Sequence, residues 1–250
     1  MRTQALRWIV AGGLLVSSHL AAEPLSDLKT RLATMRSDQP LRIEVEVEVA
    51  HRGSAPLHLN RNKRHGRAVV AADADGVKMI EQRWLGRSWL ASLWKDKPDD
   101  DEPMLDELEA ENLVDPVGMI DLLLTDATLV SDEAATWQDQ PARLLVIRPG
   151  LPVGEREEEA PAPSADVESE PGPLTLDAKI WLDENGVPLA LERSMELGLG
   201  VVKATGDESF TFQQSEGRLL VSSAELSSTG QALAVLRSRD DKKLKVTGIR

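Results

Sequence analysis

Hydrophobic residues alternate strictly with charged ones over residues 41–51, where the sequence reads LRIEVEVEVAH. A period of two is typical of a β-strand that buries one face and leaves the other in water. We therefore expect the first strand here. A second alternating run covers residues 174–183, and the Asn185-Gly186 pair after it favours a tight turn into a returning strand over 187–196.

Shorter apolar runs separated by turn residues predict the remaining strands. Residues 67–73 and 77–84 flank Asp75-Gly76, which favours a hairpin. The run 144–147 is apolar at every position, which predicts a strand covered on both faces. Strands are also predicted at 128–135, 142–148, 199–205, 208–214, 218–227 and 232–249. Short connections between consecutive strands imply an antiparallel sheet.

The spacing of apolar residues changes to a helical period in three places. An opening helix is predicted from the spacing of Leu25, Leu28, Leu32 and Met35. The middle of the chain predicts helices at 85–94 and 104–112. Asp115-Pro116 then supplies the cap and first turn of a helix that carries Val117, Ile120, Leu123 and Ala127.

This pattern predicts an α+β fold in which a curved antiparallel sheet wraps over a few helices. Because the strands are numerous and the helices must bury the apolar side of the sheet, we expect an open half-barrel of roughly eight to eleven strands. An apolar cleft between the sheet and the helices would be a natural place for a ligand.

The first 22 residues have the layout of a secretory signal peptide. Arg2 and Arg7 precede an apolar run over residues 8–16, and Ala21-Ala22 provides small residues at a cleavage site. The run is shorter than the roughly 20 apolar residues that a membrane-spanning helix requires. We expect residues 23–250 to form a single periplasmic or secreted domain without a transmembrane segment.

Charge is concentrated in two segments of this acidic chain, whose net charge is −13. The sequence DKPDDDEPMLDELEAE at 96–111 and the sequence EREEEAPAPSADVESE at 155–170 hold most of the excess acids. The second segment is rich in proline and has no apolar period, which is typical of disorder. We expect flexible acidic insertions near 95–103 and 152–173, and nucleic acid is an improbable partner for such a chain.

One stretch is strongly basic, namely RGSAPLHLNRNKRHGR at residues 52–67. It can be a polar connection between two strands. Alternatively, it can form an anion site or a docking patch for a protein partner. The candidate docking residues are Arg52, Arg61, Lys63, Arg64 and Arg67.

The segment from Asp115 onward resembles the periplasmic half-barrel superfamily of LolA-like, LolB-like and RseB-like proteins. The resemblance rests on the Asp-Pro helix, two strands, a linker, and the hairpin IWLDENGVPL at 180–189. It implies an open antiparallel half-barrel closed by helices, with an apolar cleft that takes lipid chains or a partner. The insertion at 85–113 and the linker at 152–173 depart from that pattern.

Motifs that carry catalytic chemistry are missing from the sequence. It has no cysteine, no Gly-x-Ser-x-Gly elbow, no phosphate-binding glycine loop and no His-Glu-x-x-His helix. The histidines at 51, 58 and 65 are seven residues apart, a spacing that does not favour a compact metal site. We therefore expect no cofactor, no metal and no enzymatic activity.

Aromatic residues provide the candidate ligand contacts. Half of the six tryptophans fall within residues 84–94, where they serve either core packing or the wall of a cleft. The candidate ligand-binding residues are Trp84, Trp89, Trp94, Ile180, Phe210 and Phe212. The sequence thus predicts an exported binding protein that holds an acyl chain or a lipidated segment. The alternative is a protein interaction module for envelope assembly or stress sensing.

Overall fold

A computed structural model describes residues 23–37, 39–55, 58–85, 103–150, 175–199, 202–232 and 236–250. The expected signal peptide at 1–22 and the acidic insertion at 152–173 lie outside these ranges, as does most of the insertion near 95–103. The helix expected at 85–94 also lies outside them, apart from residue 85, which ends a strand.

The described residues form one antiparallel sheet of ten strands. The strands are β1 Leu41–Ala55, β2 His58–Asp73, β3 Gly76–Leu85, β4 Thr128–Trp137, β5 Gln140–Arg148, β6 Thr175–Leu182, β7 Pro188–Leu199, β8 Val202–Ser215, β9 Arg218–Ala232 and β10 Leu236–Ile249. Their order in space is β3-β2-β1-β10-β9-β8-β7-β6-β5-β4. The sheet is open, with β3 and β4 as its edges, which confirms the expected antiparallel topology and strand number.

The first and last strands pair inside the sheet, as the third and fourth of its ten strands. The register of β1 with β10 runs from Ile43 opposite Ile249 to Ser54 opposite Arg237. Backbone hydrogen bonds of 2.8 and 2.9 Å between Arg42 and Arg250 extend the pairing. This contact joins a three-stranded meander, β1 to β3, to the longer meander from β4 to β10.

Three helices belong to the described part of the chain: α1 Glu23–Ala33, α2 Glu107–Val114 and α3 Pro116–Leu123. Asp106 caps α2 in a reciprocal capping box, because its carboxylate accepts the Glu109 N–H while the Glu109 carboxylate accepts the Asp106 N–H. Asp115 caps α3 by accepting the Gly118 N–H at 2.9 Å, and Pro116 opens that helix. The opening helix and the Asp-Pro helix are therefore confirmed.

The helices cover one face of the sheet, which we call the helix-covered face. Alternate residues of β1 are buried there, with Ile43, Val45 and Val47 between 0 and 2% exposed. The buried residues form one continuous core with Leu32 of α1 and Ile120 of α3. The hydrophobic effect therefore fixes the register of each strand, since a slip by one residue would move its apolar set into water.

Helix α2 is attached to the sheet by a charged contact and a close approach. Nζ of Lys242 on β10 donates to both carboxylate oxygens of Glu109, at 2.5 and 2.7 Å. Just before the helix, Met104 lies over Gly66 of β2, and a Cβ placed on Gly66 would come within 2.2 Å of the Met104 methyl carbon. A side chain on residue 66 would therefore require the Met104 side chain to move.

Two expectations about strand boundaries are wrong. The basic stretch at 52–67 is not a loop, because β1 continues to Ala55 and β2 begins at His58. The runs 199–205 and 208–214 form the single strand β8, and Gly206-Asp207 lies within it. The turn signal at Gly206-Asp207 fails because β7 and β9 pair with these residues on both sides. The basic stretch is extended because β1 and β2 pair with each other along it.

The expectation of a strand covered on both faces at 144–147 is also corrected. Leu145 and Ile147 are fully buried, whereas Leu144 and Val146 face the other side and are only half-buried. Trp181 lies on that same side of β6, where a helix would have been needed to cover it. Instead, the ring of Trp137 packs against that of Trp181, with 4.8 Å between the two ring centroids, and Trp181 is 8% exposed.

Candidate functional site

The second face of the sheet, which we call the open face, presents the polar half of each alternating strand. On β1, Glu44, Glu46 and Glu48 point away from the buried Val45 and Val47. The antiparallel register carries this division across the neighbouring strands, so that Glu48 lies beside Lys243 of β10. The open face is therefore a wide surface of charged and hydroxyl side chains.

This face holds two adjoining cavities of about 790 and 770 Å³. They share Glu48, Glu225 and Lys243, so we treat them as one depression, the polar groove. The groove reaches from β3 to β4. Its lining includes the bases Arg52, Lys63, Arg148, Lys179, Arg239 and Lys243, the acids Glu48, Asp177, Glu192, Asp207, Glu225 and Asp241, the serines Ser194, Ser209 and Ser227, and the apolar Val130 and Val146.

Ion pairs between neighbouring strands organise the middle of the groove. Nζ of Lys63 lies 2.7 Å from Glu48 Oε1, and Nζ of Lys243 lies 2.7 Å from Glu225 Oε1. The hydrogen bond from Lys63 lowers the pKa of the Glu48 carboxyl, and the hydrogen bond to Glu225 raises the pKa of Lys243. These groups are therefore charged at neutral pH.

A second set of contacts holds Asp241 in place. Burial pushes the pKa of Asp241 up, but hydrogen bonds from Arg239 Nε and Ser227 Oγ, both at 2.9 Å, more than offset it and leave the pKa lowered. Arg148 Nε lies 3.3 Å from Asp177 Oδ1 where the groove approaches β4. The lowered pKa values of Glu48 and Asp241 keep these two groups as carboxylates, whereas a general acid would need a raised pKa.

The charged groups of the groove that have no ion pair or side-chain hydrogen bond within the described residues include Lys179, Glu192 and Asp207. Glu192 pairs in register with Lys179 on one side and with Ser209 on the other. The floor of the groove therefore offers both signs of charge beside hydroxyl groups, on side chains that are free to bind.

The structure brings only part of the predicted basic cluster to the groove. Arg52 and Lys63 line it, whereas Arg64 lies on the helix-covered face with its guanidinium 3.9 Å from the ring centroid of Trp84. Arg67 is exposed and donates to Glu46 at 3.0 Å. The backbone of Arg61 pairs with Arg52, and its side chain lies outside the described residues. Docking at this cluster stays a prediction.

The predicted aromatic and aliphatic contacts are distributed differently. Ile180, Phe210 and Phe212 belong to the core and are 0, 2 and 6% exposed, and Trp84 is half-buried against that core. Trp89 and Trp94 lie outside the described residues. Binding of an apolar ligand by this set stays a prediction.

Sequence reasoning missed the groove residues on β7 to β10. Their only local signal is the polar half of an alternating strand, as in Ser194, Asp207 and Asp241, which in most sheets marks an unremarkable solvent face. Their proximity depends on which strands are neighbours and on how the sheet curves. Neither property is encoded in a short stretch of sequence.

Two of the three histidines near the basic stretch can be placed, and they make separate contacts. His51 Nδ1 lies 2.5 Å from Asp240 Oδ1, and His65 Nδ1 lies 3.5 Å from Glu48 Oε2. The side chain of His58 lies outside the described residues. Within the described part of the chain, three or more metal-ligating side chains do not come together at any point.

Comparisons with known proteins give structural neighbours only. No family model and no curated protein matches the sequence. Similar solved structures include an outer membrane lipoprotein-sorting protein domain from Vibrio parahaemolyticus, with 12% identity over 93% of this chain and 92% of that chain, at a TM-score of 0.33. A DUF1329 family protein from Desulfovibrio piger has 8% identity over 92% of both chains, at a TM-score of 0.32.

A third neighbour is MucB in complex with MucA(peri), with 12% identity over 90% of this chain and 98% of that chain, at a TM-score of 0.19. All three TM-scores are below 0.5, so we draw no conclusion about family or function from these neighbours. Over the described ranges, no helix has the length and apolar character needed to cross a bilayer.

Proposed function

We propose that this chain is a non-enzymatic binding protein of the cell envelope, exported by its first 22 residues, that recognises a polypeptide partner in the polar groove. The observation that carries this proposal is the groove itself, which joins cavities of about 790 and 770 Å³ on the face that the helices leave uncovered. A groove that binds a polypeptide corresponds to the protein interaction module that is the alternative expectation from the sequence.

The chemistry of the groove favours a polypeptide over other ligands. Both signs of charge alternate along it, and Lys179, Glu192 and Asp207 are available to pair with a partner's side chains. Its described lining contains no tryptophan or phenylalanine on which a base or a sugar ring could stack. Complementary charges give such an interface its specificity and speed of association.

A site-specific photo-crosslinker distinguishes this proposal from non-specific adhesion. We expect a crosslinker at Ser209, on the groove floor, to capture one envelope protein in cells, identified by mass spectrometry. The same crosslinker at Leu122, which is 74% exposed on α3, is the matched control and should not capture it. Charge reversal by Lys179→Glu with Asp207→Lys should reduce the Ser209 product at least several-fold.

Other outcomes of the crosslinking experiment would contradict the proposal. Equal yields from Ser209 and Leu122, or a Ser209 product that survives the charge reversal, would contradict recognition in the groove. Recovery of lipid alone at Ser209 would contradict a polypeptide partner.

The finer proposal that this chain holds an acyl chain is supported by Trp84, which is half-buried against the core, with the Arg64 guanidinium over its ring. Ile180 and Leu191 are fully buried, whereas Trp84 is partly accessible, so we propose that a ligand enters near Trp84. A fluorescent fatty-acyl probe should then quench tryptophan emission in the wild type and not in Trp84→Phe. Equal quenching in both proteins would contradict this position.

A further inference from the structure

We infer that Arg52 of β1 and Arg239 of β10, which we call the arginine pair, bind a carboxylate of the partner polypeptide in the polar groove. Both arginines line the cavity of about 790 Å³. The inference rests on the proposed function, since it assigns the part of the groove that receives an acidic group of the partner.

The first observation is the register of the two strands. Arg52 and Arg239 lie directly opposite each other in the antiparallel pairing of β1 with β10, and both side chains are on the open face. The Cβ atoms of such opposite residues are about 5 Å apart, which lets two guanidinium groups reach one ligand. Like charges in opposite positions also destabilise a sheet, and a bound anion would remove that cost.

The second observation is that both side chains are accessible and keep donors available. Arg239 donates through Nε to Asp241 at 2.9 Å, and its side chain is 53% exposed. Its two Nη atoms have no hydrogen-bond partner among the described residues, and neither has any side-chain nitrogen of Arg52, which is also exposed. The planar fork of a guanidinium can donate two parallel hydrogen bonds to a carboxylate.

The balance of charge at the arginine pair favours an anion. Among the described residues, Asp241 is the only carboxylate that meets either arginine, and it already accepts hydrogen bonds from Arg239 and Ser227. Burial raises the pKa of Asp241, and the charges of both arginines are among the influences that lower it, so both guanidinium groups act on this one carboxylate. Two cations beside one anion leave a positive charge for a ligand.

The surroundings favour a singly charged carboxylate on a polypeptide. Asp207 and Asp241 line the same cavity and oppose the second charge of a phosphate dianion. Asp207 lies on β8, three strand spacings from β1, so its separation from Arg52 is roughly 15 Å, which an extended segment of about five residues spans. A partner segment with an acid at the arginine pair can therefore present a basic residue to Asp207.

The test follows the arginine Nε–H signals of the whole ¹⁵N-labelled protein during titration with N-acetylglutamine, whose carboxylate is singly charged, at constant ionic strength. We expect a saturable shift of the Arg52 and Arg239 signals. In Arg52→Gln, the affinity measured at the Arg239 signal should fall at least about five-fold, because a unit charge a few ångströms away has been removed. A linear shift in the wild type would overturn the inference.

Two controls show that a loss of affinity belongs to the arginine pair. Arg36→Gln removes an exposed arginine outside the polar groove, 3.9 Å from Asp121, and should change the affinity by less than about two-fold. Arg52→Gln should not lower the midpoint of urea unfolding, because it removes a like-charge opposition. An equal loss of affinity in Arg36→Gln, or a lowered midpoint in Arg52→Gln, would contradict the inference.

Further titrations separate the sources of the carboxylate. N-acetylglutamine carries a terminal carboxylate, whereas N-acetylglutamic acid diamide lacks any carboxylate and N-acetyl-glutamic α-amide carries only the side-chain one. Tighter binding of either carboxylate compound assigns that source. Binding of the diamide, or tighter binding of inorganic phosphate than of both carboxylates, would overturn the assignment.

The same variant separates this inference from the proposed function. In cells, Arg52→Gln should reduce the crosslinked product at Ser209 several-fold. A product of wild-type yield in Arg52→Gln would overturn the role of the arginine pair and leave recognition of a polypeptide in the groove intact. Saturable carboxylate binding without any Ser209 product would contradict the proposed function instead.

Discussion

The two faces of the same sheet differ in almost every physical property. On the helix-covered face, Val45, Ile180 and Leu191 are fully buried in a continuous core. On the open face, their sequence neighbours Glu46, Lys179 and Glu192 are polar and border cavities. Adjacent residues of one strand therefore differ in role: one stabilises the fold, and the next is available for binding.

This difference teaches that stability and recognition are separable in this molecule. The free energy of folding comes mainly from apolar surface buried under the helices, at about 25 cal/mol per Å². The ion pairs of the open face are largely exposed, and such pairs contribute little. Substitutions on the two faces should consequently have effects of very different size.

The largest effect is expected from Ile180→Ala. The side chain is fully buried, and its removal leaves a cavity in the core, so the free energy of unfolding should fall by about 2–5 kcal/mol. Lys179→Ala, one residue earlier on the open face, should change it by less than about 0.5 kcal/mol. Urea unfolding of both variants measures the difference, and equal losses would contradict the division between the faces.

Gly66→Ala should destabilise the protein by about 1–3 kcal/mol through overpacking. The new Cβ would meet the Met104 methyl carbon at 2.2 Å and the Arg83 carbonyl oxygen at 3.1 Å. In a double-mutant cycle, Met104→Ala should relieve part of this cost by removing the first contact. Strict additivity of the two substitutions in urea unfolding would show that the close approach is unimportant.

Lys242→Met should lower the free energy of unfolding by about 1.5 kcal/mol. The Lys242 and Glu109 side chains are only 23 and 13% exposed, so the substitution leaves a poorly solvated carboxylate without its partner. Lys243→Met, the adjacent position on the open face, should have no measurable effect. A similar loss from both variants would show that α2 is not held by this contact.

The smallest effect is a pH dependence at the rim of the helix-covered face. The fork from Arg143 holds the pKa of Asp132 below its usual range, so the ion pair stabilises the folded state above the unfolded pKa and is lost as pH falls through the lowered value. Asp132→Asn should therefore cost less than about 1 kcal/mol at pH 7.

That cost should shrink below about pH 4, where the carboxyl becomes protonated. Thermal unfolding of the wild type and the variant between pH 2 and 7 measures the trend, with Glu133→Gln as the exposed control. A difference that grows as the pH falls would have the wrong sign for this ion pair.

Local patterns in the sequence predicted most of the fold. The alternation of Val45 with Glu46 located β1, and Asp115-Pro116 located the start of α3, because each signal acts within one element. The turn predicted at Gly206-Asp207 is wrong, because a turn signal is overridden when both neighbouring strands supply hydrogen bonds. The boundaries of long strands are tertiary properties.

The candidate site was less predictable. The basic stretch contains Arg52 and Lys63, which line the groove, but Lys243 lies beside Glu48 only through the pairing of β1 with β10. The register of strands this far apart in sequence cannot be inferred from composition. That Arg31 Nε lies buried without an acceptor among the described residues also depends on how α1 packs, which no local pattern indicates.

The pairing of the amino-terminal and carboxyl-terminal strands also constrains the order of folding. Until β10 is in place, the β1–β3 meander and the β4–β9 meander have no common edge, and contacts between distant parts of a chain form slowly. A nascent chain that has not yet released β10 therefore holds two separate parts of the sheet. The full sheet can assemble only after β10 has emerged.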